Sequence, residues 1–190
     1  MPMRIILGGA LFAAASTGAL AAPAAPIEQP LGGPVVPGVC LLSREAIFAN
    51  AVVGKAAAAR LQDIARTAQT DIDKERMPLE TEAKALQGQA DSSQIHQRRE
   101  TLARNWQALQ AKAAQNSREI EATRMKVLGR ISTEAQPVIA QVYGQKKCGL
   151  LFDRNSALGG NFANDLTADV VRGLDAKIQT ISFERERLAQ

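Results

Sequence analysis

The sequence predicts an α+β chain that is mostly α: a long antiparallel helical hairpin projecting from a small β body that also carries a C-terminal helix. Three observations predict it. First, apolar residues make up 46% of the 190 residues but aromatics only 4%, and alanine, with 34 copies, accounts for the gap. Ala, Leu, Arg, Lys, Gln and Glu, which dominate here, are the strongest helix formers. Second, two long stretches carry heptad-spaced apolar residues and meet at one break near 88–93. Third, short apolar runs flank the pair, Val39–Leu42 before it and Cys148–Asp153 after it. Sandwich and barrel folds need many β-branched and aromatic strand residues, so this composition excludes them. Alanine supplies little apolar area per residue, which points to an extended shape or to a fold that depends on oligomers.

The elements follow in chain order. Met1–Arg4 is a short basic start, Ile5 to Leu20 is an apolar run, and Ala19-Leu20-Ala21 has the small-x-small form of a cleavage site. Residues 1–21 therefore read as a cleavable export signal, cut after Ala21 or Ala22. A membrane anchor fits worse, because the run is Gly/Ala-rich, short and followed by Pro23 and Pro26. Residues 22–38 hold five prolines and three glycines and read as a linker. Val39–Leu42 suits a buried strand, and Ser43 can cap a short helix through Asn50.

The arm is expected over 55–143. In its first half, Ala65, Ala68, Ile72, Leu79 and Leu86 form a seam with spacings 3, 4, 7 and 7. Gly88 opens the tip, and Asp91 with Gln94 resembles a capping box. The return seam is Leu102, Trp106, Leu109, Ala113, Ile120, Val127, Ile131, Ala135, Val138 and Val142, with Gly144 a suitable stop. Helices of these lengths are about 50 and about 75 Å long, whereas a compact domain of this mass is about 35–40 Å across. The hairpin must project, and its longer return helix should continue into the body. Pro78 and Pro137 should bend their helices, and Pro78 is a candidate arm kink or hinge. Residues 39–54 and 144–190 form the expected body. It includes a second strand in Cys148–Asp153, a short strand around Ala157–Phe162, and a helix capped by Thr167 and running to about Ile178.

Candidate functional residues are few. Cys40 and Cys148, both in predicted strands at the roots of the arm, read as a structural disulfide in an oxidising compartment. A redox pair or metal site fits less well, since there is no CxxC motif and the single histidine, His96, lies near the tip. Closing so long a loop would contribute up to about 4–5 kcal/mol. Arg98, Arg99 and Arg104 cluster near the tip. Together with Lys112 and Arg118 they are candidate contacts for a client chain or anionic lipid, weighed against a plain solvated helix face. Residues 92–147 hold ten basic and four acidic side chains, so the return helix is the cationic part of the chain. Ile72, Leu79, Leu86, Leu102, Trp106 and Leu109 are expected to pack the arm. Gly54-Lys55 lacks the rest of a P-loop, and Asp71 and Asp73 face different sides of a helix. No catalytic set, metal site or cofactor is expected, and the mild net charge gives no sign of a nucleic-acid partner.

Three segments resemble the Skp/OmpH family of periplasmic chaperones. They are Val39–Ala57 (VCLLSREAIFANAVVGKAA), the helical hairpin, and Lys147–Leu174 (KCGLLFDRNSALGGNFANDLTADVVRGL) with its strand, Asp-Arg-Asn turn and Asp-Leu-Thr-x-x-Val-Val helix. Ser43 departs from the acidic residue usual in that family after the first strand. The resemblance implies a periplasmic homotrimer shaped like a jellyfish, whose arms enclose unfolded outer-membrane proteins without using ATP. A function of another class, an envelope coiled-coil adaptor or scaffold that binds one folded partner, fits the hairpin too. The broken, Ala-rich seam favours the chaperone, because it offers many weak contacts and no sharp partner-specific stripe.

Overall fold

The structure is a computed structural model and describes residues 32–189. The expected export signal over 1–21 and the linker before residue 32 lie outside the described residues. The elements are β1 (Val39–Leu42), α1 (Arg44–Asn50), α2 (Val52–Leu86), α3 (Ser93–Gln145), β2 (Leu150–Asp153), a 3-10 turn (Arg154–Ser156) and α4 (Thr167–Lys177). α2 and α3 form the antiparallel arm, and the remaining elements gather at its root.

β1 and β2 pair in parallel, with Val39 opposite Leu150 and Leu42 opposite Asp153. A parallel pair needs a crossover between its strands, and here the crossover is the whole arm. On its other edge β1 meets the segment before α4. Leu41 N–H donates to Asn164 O at 3.0 Å, and Leu166 N–H donates to Leu41 O at 2.9 Å. The short strand expected around Ala157–Phe162 is absent. Gly160 takes φ 151 there, and the asparagines bond to backbone instead, Asn161 to Ala163 N–H and Asn164 to the carbonyls of Val36 and Val39. Such side-chain bonds compete with a strand ladder. The disulfide Cys40–Cys148, with its Cα atoms 5.8 Å apart, ties the start of β1 to the end of α3.

The core sits at the arm root. Cys40, Leu42, Ile47, Ala51, Val53 and Ala57 pack against Val127, Ile131, Ala135, Val138 and Val142 of α3 and Leu166, Val170 and Leu174 around α4. The return helix thus runs through the body as expected. Ser43 caps α1 by accepting from Ala46 N–H. The turn from α1 into α2 is tight enough that a Cβ on Gly54 would fall 1.9 Å from Phe48 O, so only glycine fits. The cap of α2 comes from far away, since Asp175 Oδ1 accepts Val52 N–H at 2.7 Å.

Three ends differ from expectation. The cap of α3 is Ser92, not Asp91: Ser92 Oγ accepts Ile95 N–H, while Asp91 is drawn to Arg99. α3 passes Gly144 and ends at Gln145, because the left-handed residue is Lys147 (φ 53). Cys148 N–H then donates to Tyr143 O and Lys147 N–H to Gly144 O, which is a Schellman motif. The disulfide fixes Cys148 and so sets where the chain must turn. At α4, Asp165 accepts Thr167 N–H, because the Thr167 hydroxyl is taken by Ser43 N–H.

Candidate functional site

The arm is thin. Beyond the root its fully buried apolar residues are Ile64, Ala68 and Leu86 on α2 and Leu109 on α3. Ile72, Leu79, Leu102 and Trp106 are half-buried, as two helices without a third can only partly cover a seam. Ion pairs join the two helices instead. Arg98 holds both oxygens of Glu82 at 2.9 Å, and Lys112 reaches Glu75. At the tip, Arg99 donates to Asp91 at 2.6 Å and to the Gln89 carbonyl at 3.3 Å, which closes the turn around Gly88. The hydrogen bond and charge of Arg98 hold the Glu82 carboxyl below its usual range. Those of Arg99, helped by His96, do the same for Asp91.

These contacts divide the five candidate cations. Arg98, Arg99 and Lys112 are engaged within the arm. Arg104 pairs with Glu100 and bonds Thr101 on its own helix, and Arg118 bonds Gln115 one turn away. All five stay on the arm, spread along α3 from residue 98 to residue 118. Pro78 lies exposed on α2, which continues through it as one helix from Val52 to Leu86. The missing N–H leaves the Lys74 carbonyl without its intrahelical partner.

Two features of this surface were not visible as function in the sequence. The first is β2. Leu150, Leu151 and Phe152 are 56%, 36% and 51% exposed, and among the described residues the strand has β1 on one side only. An open, apolar edge of this kind is a ready template for pairing with another chain.

The second is the C-terminal segment. Residues 181–188, left with the body on sequence grounds, run extended along α3 toward the arm. Ile178, Ile181 and Phe183 pack against the core. Arg130 donates to Ser182 O at 2.8 Å, Thr123 Oγ1 accepts Glu186 N–H at 2.9 Å, and Glu119 Oε1 accepts Leu188 N–H at 3.3 Å. Gln115 donates to Leu188 O at 3.0 Å. Glu119 is buried, with its side chain 6% exposed, and meets Arg185 at 3.2 Å and Arg187 at 3.4 Å. The Gln115 amide, the Leu188 N–H and the two guanidinium groups, in that order, outweigh burial and hold its carboxyl below the usual range. The heptad spacing offered a signal: 113, 116, 120, 123 and 127 continue the α3 seam, with Asn116 and Thr123 buried in it.

The described residues contain no cluster of three or more metal-ligating side chains, and no helix among them is long and apolar enough to cross a membrane. The family model for OmpH-like outer membrane proteins matches residues 38–174. The chain belongs to the OmpH-like family. It is a non-enzymatic family. A crystal structure of a candidate outer membrane chaperone (OmpH-like) from Caulobacter crescentus CB15 superposes on this OmpH-like chain with a TM-score of 0.74. The two are 39% identical, and the match covers 84% of this chain and 96% of the other. No protein of curated function matches. The family match ends inside α4, so the extended segment along α3 lies beyond it.

Proposed function

We propose that this OmpH-like protein is an ATP-independent holdase chaperone of the periplasm, which binds unfolded outer-membrane proteins and prevents their aggregation in transit. The observation that carries the reading is the arm itself: a narrow helix pair, mostly exposed, rich in alanine, with many of its charges paired within or across the helices. Such a surface offers an unfolded chain many weak apolar contacts and no strong one. Multivalency then retains the client while each contact stays reversible, so release needs no nucleotide. An unfolded barrel protein exposes strands that aggregate with one another, and shielding them from each other is enough.

The open β2 edge supports self-association as a homotrimer, in which each body covers the apolar edge of another. Three arms would then surround one client. Of the five candidate cations, Arg104 and Arg118, whose partners are on their own helix, are the freest to meet acidic client segments or anionic lipid, with strong salt dependence.

Two measurements test the reading. Light scattering should give three times the chain mass, and a monomer would remove the shared cavity. Aggregation of several unrelated barrel proteins diluted from urea should be suppressed. Binding to one folded partner, with no suppression, would identify an adaptor instead.

A further inference from the structure

The segment along α3 is held in an unusual way. Its backbone groups at Ser182, Glu186 and Leu188 are bonded by side chains of α3: Arg130, Thr123, Glu119 and Gln115. Recognition through backbone groups is indifferent to sequence, so any selectivity comes from the side chains that point inward. The side chains that do point inward alternate, Ile181, Phe183 and Arg185, with Ser182 and Glu184 exposed between them. That is the period of a β-strand. The face below is polar yet buried. Of the five buried polar residues among those described, Asn116, Glu119 and Thr123 lie on this stretch of α3. Glu119, the one buried carboxylate among them, faces the basic residue that follows the two apolar ones.

We propose that the face of α3 from Gln115 to Arg130 is a binding site for an extended polypeptide strand, and that residues 181–188 occupy it as a displaceable internal competitor. The ligand is an extended segment with alternating apolar side chains followed by a basic residue. That such a segment belongs to an unfolded barrel protein rests on the holdase reading. The occupant is suited to exchange because its outer side is open: Glu184, Arg187 and Leu188 are exposed, and the Arg60–Glu184 pair lies at the surface, so the buried hold on its far end is the contact with Glu119. A site occupied most of the time by its own tail binds an outside strand more weakly by the fraction left open.

The test uses the full chain and leaves α3 unaltered. Arg185→Glu with Arg187→Glu places carboxylates beside Glu119, and Ile181→Ser with Phe183→Ser removes the apolar anchors. Hydrogen exchange over 181–188 reports whether the tail is released. The probe is a fluorescent peptide of alternating valine and serine ending in arginine, with a scrambled peptide as control. Release of the tail in either variant should tighten binding of the alternating peptide by about tenfold, leave the scrambled one unchanged, and map protection to residues 115–130. A released tail with unchanged peptide affinity would overturn the proposal. So would a tail that stays protected in both variants, which would make it a permanent strap. Aggregation suppression by the unaltered protein is scored separately, so a failure of the holdase reading does not mimic a failure here.

Discussion

Asp175 is 123 residues away from Val52 in the chain, yet its carboxylate accepts the first N–H of α2. Ala51, the residue at the cap position, has no side chain able to do so. A negative charge at the N-terminus of a long helix also meets the positive end of its dipole. Asp175→Ala should therefore lower stability by about 1 kcal/mol, read as a shift in urea midpoint, with Asp175→Asn retaining part of it. Lys147 presents the opposite case. Its φ of 53 is a conformation in which a Cβ crowds the following carbonyl. Lys147→Gly should raise the melting temperature, by the equivalent of up to about 1 kcal/mol. A loss of stability would show that the lysine side chain contributes more than its backbone costs.

At the scale of elements, local signals were legible and remote ones were not. Val39–Leu42 between glycine and serine, the Ser43 cap and the Gly88 break are each readable from a few neighbouring residues, and each forms as expected. The arm cations were legible as charges but not as pairs, because Glu82 and Arg98 meet only when the hairpin closes. The burial of Glu119 and Thr123 was not legible, because the groups that bond them arrive from residues 181–188. The same distance hid the exchange at α4, where Thr167 serves Ser43 and Asp165 takes over the cap. The contact of Glu119 with the tail has a pH signature. A carboxyl held below its usual range stabilises the folded arrangement above that range, and loses the contribution as pH falls through the lowered value. The facing charges are Arg185 and Arg187. The amide resonance of Leu188, which is bonded to the Glu119 carboxylate, should thus show its acid transition at a lower pH than the exposed carboxylates of the same protein. A transition at higher pH than theirs would contradict the lowered direction.

For the molecule as a whole, the disulfide and the parallel strand pair act at the same place. Cys40 and Cys148 lie 108 residues apart in the chain, and a cross-link over such a distance removes much freedom from the unfolded chain. Cys148→Ser should destabilise the protein by about 3–5 kcal/mol, seen as a lower urea midpoint. The native protein should show no thiol until reductant is added. Two titratable thiols without reductant would contradict the bond.

The parallel pairing of β1 with β2 also orders events in time. β1 emerges from any N-to-C export or synthesis long before its partner, and direct closure of so long a loop is slow. The hairpin consists of local contacts. Once α2 folds back on α3, it carries residue 39 and residue 150 to the same end and shortens the search to a few residues. The arm is then the template on which the body is assembled, before it is anything else. Loosening the tip with Glu82→Lys should slow formation of the Cys40–Cys148 bond after dilution from denaturant and reductant, while leaving the final oxidised yield unchanged. An unchanged rate would mean that the body finds itself without the arm.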